Sequence, residues 1–201
     1  MVRENVKPDL VYALDKKRFR HKIVKGACVK GRRDKISMET RPDSLEAFTI
    51  GHSNVPADAI IALLRQYHIE TLVDVRSAPY SQYSPQFNRE TFARTLREAG
   101  VEYLFAGDDL GGRPKDPTCY KSGESPTGKA AYLALVDYGE VAKRDWYKRG
   151  IGRLLEFAQE RRTAIMCSEE DPGRCHRHHL IAQTLLEVNG RARFHPLPAS
   201  P

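Results

Sequence analysis

The sequence lacks any apolar run approaching the roughly 20 residues that a membrane-spanning helix needs, and its opening residues (Arg3, Glu4, Lys7, Asp9) are too polar for a secretory h-region. A cytoplasmic protein with no membrane role is therefore the expectation. No internal repeat is present, which excludes solenoid and propeller architectures. Also missing are the G-x-G-x-x-G dinucleotide fingerprint and the Lys-Ser/Thr pair of a phosphate-binding P-loop. Cysteine is sparse. Cys28, Cys119, Cys167 and Cys175 show none of the regular spacing of a small secreted disulfide scaffold, so reduced thiols are expected.

What is present suits one α/β domain with a tail. The chain has 201 residues, 40% hydrophobic and 29% charged, enough for one packed core but not for two full domains. Residues 1–44 carry 13 Lys and Arg against 6 Asp and Glu, whereas residues 45–201 carry 20 of each. The whole formal charge of +7 thus sits on the first 44 residues. Such a basic arm either contacts a polyanion through its phosphates or is a solvated tail. With Gly26, Gly31 and Pro42 and no sustained hydrophobic period, it reads as partly disordered.

From Leu45 the pattern becomes regular, and residues 45–198 read as the folded domain. Ala47 to His52 form a buried strand, after which Ser53 or Asn54 caps a helix that starts near Pro56 and buries Ile60, Ile61, Leu63, Leu64 and Tyr67. Thr71 to Val75 form a second strand, and Asn88 or Arg89 opens a second helix that Gly100 stops. Val101 to Phe105 give a third strand. Gly107 to Gly112 then read as a flexible loop inside the long, Gly- and Pro-rich segment 107–128. Helical spacing returns over 129–138 and 146–161, followed by a strand over 163–167, a helix over 175–188 and a last strand over 191–195. Continuous apolar strands alternating with helices predict a three-layer α/β domain with a mostly parallel sheet of about five strands.

In such sheets ligands bind beyond the carboxyl ends of the strands. Those ends carry Gly51-His52-Ser53, Asp74-Val75-Arg76, Gly107-Asp108-Asp109 and Cys167-Ser168-Glu169. The segment from Cys167 to Arg177 also leads into a helix N-terminus, where free N–H groups favour an anion. The leading reading is acid–base chemistry on a phosphate-bearing substrate, a nucleotide or nucleic acid. In it Asp74 and Glu169 work as acid and base and His52 assists, while Arg76, Arg174 and Arg177 clamp the anion with Ser53 and His176 nearby. Tyr80, in the exposed loop after Arg76, offers a ring to stack on a base.

Two other readings stay open. One is a noncatalytic nucleic-acid-binding module that uses the arm and the helix start at 175. The other is a cysteine-dependent enzyme of phosphatase or sulfur-transfer type. There Cys175, beside Arg174, His176 and Arg177, is the more readily ionised thiol, while Glu169, Glu170 and Asp171 oppose ionisation of Cys167. No cofactor or metal is assigned. Cys167, Cys175, His176, His178 and His179 are zinc-type ligands, but seven residues separate the cysteines and no second Cys pair exists.

Gly51-His52-Ser53, Asp74-Val75-Arg76 with Pro79 and Ser81, Phe87, Tyr103, Leu110-Gly111-Gly112, and Cys167-x-Glu169 through Cys175-His176-Arg177 occur in this order. Together they resemble the bacterial and archaeal family called domain of unknown function 488, over residues 47–195. The resemblance implies a single α/β domain. It implies no reaction, substrate or cofactor, and it does not extend to the basic arm.

Overall fold

The computed structural model describes residues 45–127 and 132–198. The arm expected over 1–44 lies outside the described residues. Five strands, β1 (Glu46–Gly51), β2 (Thr71–Asp74), β3 (Glu102–Phe105), β4 (Thr163–Cys167) and β5 (Arg193–Pro196), pair in the order β3-β2-β4-β1-β5. Every pairing is parallel, with Gly51 opposite Cys167 and Asp74 opposite Met166 at the carboxyl ends. Among the described residues no helix is long and apolar enough to cross a membrane.

The period of two along β4 explains the layers. Ala164 and Met166 face one side with Phe48, Ile50 and Leu72, where they meet α1 (Ala57–Gln66) and α2 (Arg89–Glu98) through Ile60, Leu63, Leu64, Phe92 and Leu96. Ile165 and Cys167 face the other side with Val73 and Val75. That side is covered by α3 (Gly107–Leu110), α5 (Tyr138–Lys143), α6 (Asp145–Glu160) and α7 (Gln183–Val188), whose Leu110, Val141, Ile151, Leu154 and Leu185 complete the second half of the core. A short α4 (Tyr132–Leu135) precedes α5. Strands buried on both faces need apolar residues at every position, which is why they read as unbroken runs rather than as alternation.

Three local expectations are corrected. Gly107 to Gly112 do not form a flexible loop: Gly107–Leu110 are helical, with Leu110 N–H donating to Ala106 O at 2.8 Å. Glycine at 107 serves close approach, since a Cβ there would stand 2.0 Å from the Arg76 carbonyl oxygen. Neither Ser53 nor Asn54 caps α1. The N-cap position is Pro56 without a side-chain bond, and Asn54 Oδ1 instead accepts from Ser84 Oγ at 3.0 Å. Asn88 does stand at the N-cap position of α2, but its side chain accepts from Ser81 N–H at 2.8 Å and so fastens the loop after β2. Finally, the helix expected over 175–188 begins as a π-helical stretch, Arg177–Ala182, that runs into α7. Such wide turns are frequent at functional sites.

Leu64 is fully buried on α1. Its replacement by Ala is expected to cost about 2–5 kcal/mol in urea unfolding, while Val188→Ala on the exposed end of α7 should stay within about 0.5 kcal/mol. Equal effects would mean that the α1 layer is not packed as described.

Candidate active site

At the end of β2, Asp74 is fully buried and accepts four hydrogen bonds. Arg76 donates three, from its backbone N–H at 3.0 Å, Nε at 2.9 Å and Nη2 at 2.6 Å, and Tyr103 Oη donates the fourth at 2.6 Å. Arg76 Nη2 also reaches Phe87 O at 2.8 Å, and its Nη1 donates to His52 Nε2 at 3.0 Å. The opposite nitrogen of His52, Nδ1, lies 2.8 Å from Ser53 O. A carbonyl only accepts, so Nδ1 carries the proton and Nε2 presents its lone pair to Arg76. Burial first, and the Arg76 charge second, push the His52 pKa down to about 4. The ring also stacks on Phe87 with centroids 4.1 Å apart.

This cluster ties together the ends of β1, β2 and β3 and satisfies its own polar atoms. Asp74, Arg76 and His52 are thus brought together as the sequence reading required, but each is turned to the others. Ser53, at φ 44°, donates its N–H to Ser168 O at 3.0 Å. Tyr80 is exposed and donates to Glu90 Oε1 at 2.7 Å.

A second cluster lies at the end of β4, the middle strand of the sheet. Cys167, Cys175 and His176 are all buried, and their ligating atoms lie within 4.8 Å of one another. Loop 168–174 accomplishes this by doubling back through a short 3-10 turn, Pro172–Arg174, capped by Asp171 Oδ1 on Gly173 N–H at 2.8 Å. The seven intervening residues that argued against a shared site therefore form a closed turn. His176 Nε2 lies 3.1 Å from Val75 O and must be the protonated nitrogen there. Its Nδ1 faces Cys175 Sγ at 3.7 Å and Cys167 Sγ at 3.9 Å. Gly112 leaves room for the ring, since a Cβ there would come within 2.7 Å of it.

Among the described residues Arg177 is the largest fully buried side chain, and its hydrogen bonds there go to a sulfur and a backbone carbonyl rather than to a carboxylate. Its Nε donates to Cys175 Sγ at 3.2 Å, its Nη2 donates to the Glu169 carbonyl, and its Nη1 has no hydrogen-bond partner among the described residues. A guanidinium remains charged under all ordinary conditions, and the side-chain atom that accepts from it is Cys175 Sγ. Within the pair Cys167 is the thiol whose pKa is lowered. The Cys175 thiol hydrogen-bonds to it first of all, and with the Glu169 backbone N–H holds it well below the usual thiol range against the opposing effect of burial. Cys175 moves the opposite way, chiefly because it bonds to Cys167 and then because it is buried. This order reverses the one read from sequence. The local acids that were to oppose Cys167 lie in a loop that turns its backbone N–H toward the sulfur, and the cation beside Cys175 is outweighed by the thiol it shares.

Above this cluster opens a cavity of about 940 Å³, bordered by Cys167, Cys175 and His176 and by Glu169 and Arg174. Sequence reasoning named all five. It missed Arg113, Lys121, Tyr132 and Tyr138, which line the remaining wall. They come from the long 107–128 segment and the helices after it, where no local pattern sets them apart; only the unusual length of that segment drew notice.

Fold and rim together define a parallel α/β protein with an open, cysteine-floored cleft at the carboxyl ends of its strands. The chain belongs to the family described as Domain of unknown function DUF488, whose model matches residues 56–184. That stretch contains β2, β3, β4 and the whole cysteine cluster but not β1 or β5. No curated protein and no solved structure matches the chain.

Asp74→Asn should leave Arg76 without its charge partner in the interior and cost about 3–5 kcal/mol in urea unfolding, whereas Tyr103→Phe, which removes one hydrogen bond to the carboxylate, should cost about 1.5–3 kcal/mol. A loss below about 1 kcal/mol for Asp74→Asn would remove its structural role. His52 supplies a pH test. Its folded pKa lies below the unfolded value of 6.5, so its contribution is complete above pH 6.5, falls as pH drops toward about 4, and is gone below that. His52→Gln should therefore flatten the acid limb of the stability curve in that window; identical slopes would refute the assignment.

Proposed function

We propose that the protein is an enzyme in which Cys167 is the nucleophile, acting on a substrate that carries an anionic group of the phosphate-ester kind found in nucleotides. The observation that carries this reading is the cysteine pair at the floor of an open cleft, set against a buried guanidinium that among the described residues bonds a sulfur and a carbonyl rather than a carboxylate. Asp74, whose oxygens accept from Arg76 and Tyr103, and His52, whose ring accepts from Arg76 and donates to Ser53 O, act in this reading as supports of the rim. Arg113, Lys121 and Arg174 on the cleft wall supply positive charge for the anion.

In the reaction, the Cys167 Sγ electron pair forms a bond to the electrophilic centre of the substrate. The leaving group departs with its bonding pair and takes a proton from solvent. Glu169, also on the wall, is placed to accept a proton from the water that then cleaves the covalent intermediate. Cys175 donates its hydrogen bond to the thiolate and steadies it between turnovers. The three described cysteines are free, which suits a reducing, cytoplasmic setting.

Alkylation by iodoacetamide at neutral pH, with sites located by peptide mass spectrometry, tests this directly. Cys167 should react about tenfold faster or more than Cys119, whose thiol is pushed up by burial. A nucleoside monophosphate should slow that reaction, and Arg113→Ala or Arg174→Ala should weaken its protection. Labelling of Cys167 no faster than Cys119 would overturn the proposal.

A further inference from the structure

We propose that Cys167 Sγ, Cys175 Sγ and His176 Nδ1 form a preorganised three-ligand site for Zn²⁺, with its fourth coordination position opening into the cleft. The inference concerns ligation, which does not depend on the reading above. Its consequence for the enzyme does rest on that reading: a zinc ion takes the Cys167 lone pair and silences the nucleophile.

The donor set and its spacing carry the inference. Two thiolates and an imidazole with one open position suit zinc among the common divalent ions. Bond lengths of about 2.3 Å to sulfur and about 2.0 Å to nitrogen in a tetrahedron place sulfur about 3.6 Å from nitrogen, and the two sulfurs about 3.8 Å apart. The distances from Nδ1 are 3.7 and 3.9 Å, with all three atoms inside 4.8 Å of one another. A tetrahedral edge is therefore nearly in place, and ligation needs shifts of only a few tenths of an ångström on the nitrogen side.

The surroundings are those of a metal centre as well. Val75 O holds the His176 Nε2 proton, which turns the Nδ1 lone pair inward; a histidine ligand commonly has its other nitrogen fixed by a carbonyl in this way. Arg177 Nε donates to Cys175 Sγ, a bond that favours the deprotonated sulfur a metal requires. All three side chains are already more than nine-tenths buried, so little ordering accompanies binding. Cys167 and Cys175 also line the cleft, which gives the ion an entry path and its fourth position an anionic or aqueous partner.

Cobalt(II) is the probe. Full-length protein, reduced and stripped with chelator under anaerobic conditions, should bind one equivalent of Co²⁺. It should then develop a thiolate-to-cobalt charge-transfer band and the strong visible bands of a four-coordinate ion, both abolished by Zn²⁺. Cys175→Ser and His176→Gln should each weaken binding by tenfold or more, as a lost ligand does. Should either variant fail to fold, the wild-type protein still provides a test: Zn²⁺ should protect Cys167 and Cys175 from iodoacetamide at least tenfold while leaving Cys119 unchanged.

The outcomes separate the two proposals. No charge-transfer band, with Cys167 still reacting fast in the presence of Zn²⁺, overturns the zinc site and leaves the nucleophile standing. A band together with a Cys167 that is inert even in the stripped protein supports the site and removes the nucleophile. Weak six-coordinate spectra without protection of either cysteine overturn the site.

Discussion

The buried pair of Asp74 and Arg76 is the constraint on which the rim of this sheet depends. An acid inside the apolar strand β2 has to be matched, because an isolated carboxylate taken out of water is costly by several kcal/mol. Arg76 matches it two residues later by folding its guanidinium back over the strand end. Once there, its remaining donors reach His52 after β1 and the Phe87 carbonyl before α2, while Tyr103 of β3 completes the carboxylate. One desolvated ion pair thereby fixes where three chain segments leave the sheet. The cleft begins where those segments turn away.

A second buried guanidinium, Arg177, is why the proposed chemistry is assigned to β4 rather than to β2. Arg76 is neutralised by a carboxylate and nearly saturated with acceptors. Among the described residues Arg177 has a carbonyl, a sulfur and one nitrogen without a hydrogen-bond partner. In an interior of low effective dielectric that difference polarises whatever lies beside it, and what lies beside it is Cys175, bonded in turn to Cys167. Both clusters were visible in the chain as acids, bases and arginines at strand ends. Only the satisfaction of their hydrogen bonds separates the support from the candidate reactive centre.

Much of the architecture was legible because parallel strands buried on both faces advertise themselves. Thr163 to Cys167 were read with the bounds they have, and β2 to within one residue. The ends of α1 and α2 were less clear. Asn54 and Asn88 are good caps in isolation, but each spends its side chain on the loop that carries Ser81 and Ser84. The glycines misled in a different way. Gly107 and Gly112 permit close backbone and ring contacts, which local sequence cannot distinguish from a mobile turn. As for the cleft, its floor came from one contiguous segment and could be named, whereas Arg113, Lys121 and Tyr138 reach it through tertiary packing alone.

Charge balance explains how one cluster can serve two states. In the proposed resting state without a metal, Arg177 contributes one positive charge and the cysteine pair one negative charge, shared through the hydrogen bond from Cys175. The local sum is neutral, the condition a buried group needs. Adding Zn²⁺ brings two positive charges and removes the one remaining thiol proton, so the sum rises by one. The excess has to be met at the open coordination position, by hydroxide or by an anionic ligand from the cleft. That proposed requirement agrees with the cations on the cleft wall, Arg113, Lys121 and Arg174, which favour the same kind of ligand at the end of β4.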